Sequence, residues 1–243
     1  MSTQQHSGKQ GRVRQFLSPI TSIIRKYSHA LPVLIYAPIY MTWFVWLEHN
    51  ITKNYRIIHL PIDDHIPFCE LFVIPYFLWF PYVIVILFFL FLKDKDDYYR
   101  MCIFLFSGMT IFLLISTLFP NGQHLRPVVM PRDNIFTDMI ASLYRTDTHT
   151  NLWPSIHVYN SLSTHIAIMK CQALRQKRLL RTASFLLSTS IILSTCLIKQ
   201  HSVFDVITAF ILSAVMYGLV YSYDILMVSR NHGQTPKDTA AQP

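Results

Sequence analysis

Charge is scarce in this sequence. Only 14% of its 243 residues are Asp, Glu, Lys or Arg, against 52% hydrophobic, and the mean hydropathy is +0.33. A soluble domain carries nearer a quarter charged residues, so the composition excludes an ordinary water-soluble globule. The four cysteines, Cys69, Cys102, Cys171 and Cys196, make no CxxC pair and no regular spacing. That excludes a zinc ribbon and a disulfide framework and leaves them as small packing residues. No internal repeat or low-complexity tract stands out. The first apolar run lacks a small-residue cleavage site after it and reads as a retained span rather than a signal peptide.

What is present instead is apolar sequence in long blocks. A bilayer core takes about 20 apolar residues per helix. Six blocks come near that length, at roughly 31–48, 69–92, 101–119, 153–170, 183–199 and 203–223. The expected fold class is therefore all-α, a polytopic membrane protein with six transmembrane helices. The expected organisation is a cytoplasmic basic arm over 1–30, a membrane domain over 31–223 and a cytoplasmic tail over 224–243. The ends, about 1–15 and 229–243, have the composition of disordered chain. In the longer loop 120–152, Ile135, Phe136, Met139, Ile140, Leu143 and Tyr144 recur at helical spacing, which predicts an amphipathic helix on the membrane interface.

The net charge of +8 follows the loops between the blocks, which argues against nucleic acid as a partner. The arm, the loop after the second block, the loop after the fourth and the tail together hold fifteen basic residues. The opposite side holds six: Lys53, Arg56, Arg126, Arg132, Arg145 and Lys199. The positive-inside rule then places both termini in the cytoplasm.

That topology brings three separate segments to the outer face. Arg126-Pro127 follows the third block, Pro154-Ser155-Ile156-His157 opens the fourth, and His201-Ser202-Val203-Phe204-Asp205 opens the sixth. Pro154 suits the first position of a helix, where its missing N–H is no loss. The N–H groups of residues 155–157 and the Ser155 hydroxyl would then suit a phosphate. His201 and Asp205, four apart, share a helix face, so the carboxylate can hold the Nδ1 proton and leave Nε2 as nucleophile or base. Arg126 offers the fork that grips phosphate oxygens. Read as metal ligands, His157, His201 and Asp205 lack the denser carboxylate set of a phosphate-cleaving metal centre, so neither a metal nor a cofactor is expected.

Arg126-Pro127, Pro154-Ser155-x-His157 and His201-x-x-x-Asp205 together resemble the type 2 phosphatidic acid phosphatase superfamily of lipid phosphate phosphatases. The resemblance covers roughly residues 100–223. It implies a six-helix core, metal-independent chemistry, a phosphohistidine on His201 and Asp205 as its orienting partner. His157 would protonate the leaving group and then activate water, while Arg126 and Ser155 would hold the phosphate. The family's pattern has a lysine where this chain has Phe119, a glycine at Ile156, and Ser-Arg where Ser194-Thr195 stand. Similar losses occur in sphingomyelin and inositol phosphorylceramide synthases, which pass a phospho-headgroup to a lipid hydroxyl. Lys199 would restore one positive charge, and Gln123 or His124 one donor.

The expected function is a lipid-phosphate phosphohydrolase of the plasma (inner) membrane with an outward-facing site. Its partners would be the bilayer and a lipid phosphate or phospholipid. A headgroup phosphotransferase stays open as an alternative, as does a transporter or non-catalytic scaffold, and the sequence leaves the oligomeric state undetermined. The residues His59, His65, His149 and His165 have no matched partner at useful spacing, and Asp63-Asp64-His65 reads as a solvated outer loop. Trp79, Phe80 and Tyr82 read as lipid-facing or core bulk.

Overall fold

A computed structural model of the chain describes residues 26–232, so most of the basic arm and the end of the tail lie outside the described residues. The described residues form seven α-helices: α1 (Leu31–Asn50), α2 (Val73–Lys93), α3 (Lys95–Leu118), α4 (Ile135–Thr146), α5 (Ile156–Lys170), α6 (Arg178–Leu197) and α7 (Val203–His232). The chain divides into two units, Met1–Pro38 and Ile39–Pro243. The described part of the first is a 3-10 turn, Ser28–Ala30, and the opening of α1.

Among the described residues, five helical stretches are long and apolar enough to cross a membrane: Ser28–Asn50, Glu70–Lys93, Lys95–Leu118, Arg178–Leu197 and Val203–Tyr221. Outward side chains such as Phe80, Val85, Phe88 and Ile103 are exposed, as a bilayer-facing surface requires. These apolar helices mark a multi-pass membrane protein. The expected fourth span differs from the other five. Its helix, α5, has 15 residues, about 22 Å at the usual rise. It packs against α2, α3, α6 and α7, so its polar residues meet protein. Ser161, Ser163 and Thr164 donate to the carbonyls of His157, Tyr159 and Asn160, which satisfies their hydroxyls inside the helix.

Local sequence accounts for the other boundaries. Asp94 ends α2 and caps α3, its carboxylate accepting from the N–H groups of Asp96 and Asp97 at 2.9 and 3.0 Å. Asn134 caps α4 by accepting from Phe136 and Thr137, and the Thr137 hydroxyl accepts from Asn134 N–H in return. The apolar stripe of α4 is real, and Ile140, Leu143, Phe136, Met139 and Tyr144 pack on Val73, Tyr76 and Ile198. The last helix runs on to His232, into the segment the sequence assigns to the tail.

One departure from an all-helical chain ties the loops together. Residues Arg56–Ile57 (β1) pair in parallel with Asn121–Gly122 (β2), and Gly122 also bridges Thr150. A Cβ at Gly122 would sit 2.7 Å from the His149 carbonyl and from the Tyr55 ring, so glycine permits the close approach.

Candidate active site

The three motif segments converge at one end of the helix bundle. The first is the start of α5, where the cap is Ser155 rather than Pro154. The Ser155 hydroxyl accepts from Val158 N–H at 3.4 Å, and its own N–H donates to the Asp205 carbonyl at 3.4 Å. Ser155 is extended and fully buried, which puts Pro154 before the helix and corrects the expectation that it opens it. His157 then lies in the first turn, at the positive end of the helix dipole.

His201 sits in the tight link between α6 and α7. The Thr195 carbonyl accepts from the N–H of both Gln200 and His201 at 2.9 Å, and Lys199 takes a left-handed backbone conformation, φ 54°. Asp205, in the first turn of α7, is fully buried. Its Oδ2 lies 3.3 Å from His201 Nδ1 and also accepts from Ser202 N–H at 3.1 Å. On the other side, His201 Nε2 lies 3.4 Å from His157 Nδ1. With the carboxylate holding the Nδ1 proton, Nε2 carries the lone pair and His157 is the donor facing it. The row Asp205–His201–His157 thus lines up a carboxylate, an imidazole whose Nε2 lone pair is free for chemistry, and a second imidazole facing it.

His157 is held by α2. Its ring stacks on Tyr76 at 4.5 Å between centroids and lies 4.3 Å from Trp79. The Tyr76 hydroxyl donates to Asp147 Oδ2 at 3.1 Å, and Gln200 Nε2 donates to the same oxygen at 3.4 Å. Burial pushes the Asp147 carboxyl above the usual carboxylate range, and the positive charge of Arg126 opposes the shift. The indole N–H of Trp79 is buried with no hydrogen-bond partner among the described residues.

The expected phosphate ligands are placed differently. Arg126 donates from Nη1 to the carbonyls of Tyr144 and Asp147, at 3.3 and 2.8 Å. Its Nη2 donates to the Thr148 carbonyl at 2.7 Å and to Gln200 Oε1. The guanidinium lies over the Tyr144 ring at 4.5 Å, so its terminal N–H groups hold the 144–148 loop. Its Nε is buried without a partner among the described residues. Lys199 Nζ donates to the carbonyls of Asp63 and Ile66 at 2.8 and 2.6 Å. The Gln123 amide donates to the Lys199 carbonyl, and His124 lies beside Tyr55 and His149.

Several residues near the site had no sequence signal that marked them. Asp63, expected in a solvated loop, is 1% exposed. Its Oδ2 accepts from the Ser202 hydroxyl at 2.6 Å and Leu60 N–H at 2.8 Å, and its Oδ1 accepts from Val203 N–H at 2.8 Å. Asp63 therefore caps α7 from another part of the chain. Tyr76 and Trp79 stand three apart on the face of α2 that meets His157, a spacing that does not stand out in a helix so rich in aromatics. Among the described residues, no group of three or more His, Cys, Asp and Glu is placed to hold a metal ion.

Compared with protein-family models and with curated proteins, the chain finds no match.

Proposed function

We propose that the protein is an integral membrane enzyme that breaks a lipid phosphate ester through a phosphohistidine on His201, with water as the acceptor. The observation that carries this reading is the ordered row Asp205–His201–His157, at 3.3 and 3.4 Å. The resemblance to type 2 phosphatidic acid phosphatases in the motifs around Arg126, His157 and His201 supports it. In the proposed reaction, the His201 Nε2 lone pair attacks phosphorus. The P–O bond breaks, and the departing oxygen keeps the electron pair and takes a proton from the His157 imidazolium, which is left as neutral imidazole. His157 next takes a proton from water, the water oxygen attacks phosphorus, and the P–N bond breaks with its pair returning to Nε2. Asp205 keeps the His201 tautomer and stabilises the imidazolium. The buried Trp79 N–H and the first-turn N–H groups of α5 are the donors we assign to the phosphate, with Ser155 shaping that turn.

In the same reading α5 is a sixth, central crossing, α4 lies at the outer interface, both termini are cytoplasmic and the site faces outward across the plasma membrane. The basic-residue asymmetry of the loops supports that orientation.

A headgroup phosphotransferase is the second reading, and the placement of Arg126 and Lys199 favours it. Their N–H groups hold backbone carbonyls, and the Asp205 carboxylate lies 3.3 Å from His201. Such surroundings suit the single charge of a phosphodiester better than the double charge of a monoester. In that case an alcohol replaces water in the second step.

The test is purified protein incubated without added metal, with a lipid phosphomonoester panel or with a phospholipid plus an alcohol acceptor. Release of free phosphate supports hydrolysis, and a new headgroup-bearing lipid supports transfer. Neither product would move the weight to a transporter or scaffold. A chelator arm is included, since loss of activity that zinc or magnesium restores would overturn the metal-independent mechanism.

A further inference from the structure

At the far end of α5 from His157, a groove of about 390 Å³ opens between α5 and α6. From His157 to His165 is eight residues along the helix, about 12 Å, so this groove is separate from the catalytic row. It is lined by His165, Met169, Arg178, Arg181, Thr182 and Phe185. Arg178, Arg181, Thr182 and Phe185 share one face of the first two turns of α6, and His165 and Met169 share one face of α5. Among these lining residues there is no acidic side chain. The lining is graded along α6, with guanidinium and hydroxyl groups at the helix start and the exposed ring of Phe185 farther in.

The cationic end is partly preorganised. Arg181 is held by hydrogen bonds from Nη1 to the Arg175 carbonyl at 2.8 Å and from Nε to Met169 Sδ at 3.1 Å. Arg178, three residues earlier on the same helix face, has an exposed side chain. His165 is fixed on the inner wall by Ser184, with Nδ1 and the hydroxyl 2.9 Å apart, and Ser184 in turn meets the Tyr82 hydroxyl at 2.7 Å.

We propose that this groove is a binding site for an anionic phospholipid. The phosphate would sit between Arg178, Arg181 and Thr182, with an acyl chain along Phe185 and Met169. Charge complementarity selects the occupant. A basic pocket where apolar helices end, with an apolar wall leading away from it, matches a lipid with a negatively charged headgroup. A zwitterionic lipid brings its own cation to the guanidinium pair and is disfavoured. The site stands independently of the proposed catalytic activity.

The experiment is thermal unfolding and native mass spectrometry of the full chain in a neutral detergent. Phosphatidylglycerol, phosphatidylcholine or inorganic phosphate is added in separate arms. Phosphatidylglycerol is expected to bind and raise the midpoint, with little effect from the other two. The R178Q/R181Q double variant should weaken phosphatidylglycerol binding by about 30-fold, the effect of two interface arginines. R175Q/K177Q, which removes two charges outside the groove, should change it by less than about threefold. Equal binding of phosphatidylcholine, equal stabilisation by inorganic phosphate, or equal loss in both double variants would overturn the proposal. So would unchanged binding in R178Q/R181Q, which would place the lipid elsewhere, for instance at the catalytic row. If R178Q/R181Q does not fold, the wild-type contrast among the three additions still decides.

Discussion

His157 Nδ1 and His201 Nε2 face each other at 3.4 Å, although the residues are 44 apart in sequence. The contact sets one imidazole against the other, with Asp205 behind His201 at 3.3 Å, the order that the proposed mechanism uses as acid, nucleophile and orienting carboxylate. Nothing in a purely structural histidine pair requires the buried carboxylate on the far side.

This row predicts a steep loss on small changes. Asp205→Asn keeps the shape but gives Nδ1 the wrong partner, and turnover should fall by about 10⁴-fold, as in other carboxylate–histidine pairs. His201→Ala should abolish formation of an acid-labile phosphoprotein, assayed with radiolabelled substrate. Wild-type turnover in either variant would sink the mechanism.

Asp63 and Lys199 predict a second kind of effect. Together they bind residues 60–66 to the loop that carries His201. Asp63→Ala removes acceptors from Leu60, Ser202 and Val203, and should destabilise the protein by about 3 kcal/mol in a denaturant titration. Lys199→Ala should lower kcat while changing KM less than about threefold, because it releases residues 63–66 from the loop that carries His201. A large rise in KM with kcat intact would instead assign Lys199 to the substrate.

Asp147 predicts a dependence of stability on pH. Burial raises its pKa in the folded state, so the folded protein binds this proton more tightly than the unfolded chain does. Its stabilising contribution is complete below the ordinary carboxylate range and is lost as pH rises through the raised value. Asp147→Asn should therefore flatten the decline in unfolding midpoint measured from about pH 4 upward to neutrality. An unchanged slope would assign that decline to other groups.

Gly108 predicts a packing effect far from the chemistry. A Cβ there would fall 2.0 Å from Cε1 of Tyr159, whose hydroxyl is anchored on the Phe104 carbonyl at 2.7 Å. The ring cannot swing aside without breaking that bond, so Gly108→Ala should cost about 1–3 kcal/mol. A Cβ at Gly218 would meet nothing within 4 Å, and Gly218→Ala should be neutral or stabilising by up to about 1 kcal/mol. Equal thermal shifts in the two variants would contradict the close α3–α5 contact.

Much of this architecture is legible in one dimension because it depends on local pattern. The apolar blocks mark five helices by length and composition, and the spacing of Ile140, Leu143 and their neighbours marks α4. The pair His201–Asp205 is visible because only three residues separate its members, although His201 lies in the link before α7 rather than on the helix the spacing predicted. Asp63 was illegible for the opposite reason. Its partners Ser202 and Val203 lie about 140 residues away, and an acidic residue in a short loop beside proline and histidine looks like any solvated one. Trp79 was hidden by abundance, one aromatic among many in an apolar helix.

The sequence by itself determined that the chain is helical and membrane-compatible, properties that follow from composition and from the length of its apolar blocks. His157, His201 and Asp205 stood out as candidates through the loop charges and through the resemblance of their motifs. Only the tertiary structure decided what the cations do. Arg126 and Lys199 carry the same charge wherever the chain places them, but which carbonyls their N–H groups reach is set by tertiary contacts. Here residues 144–148 and 63–66 supply them. The bundle likewise settled α5 as a short polar helix, because four neighbouring helices supply the surroundings that lipid could not.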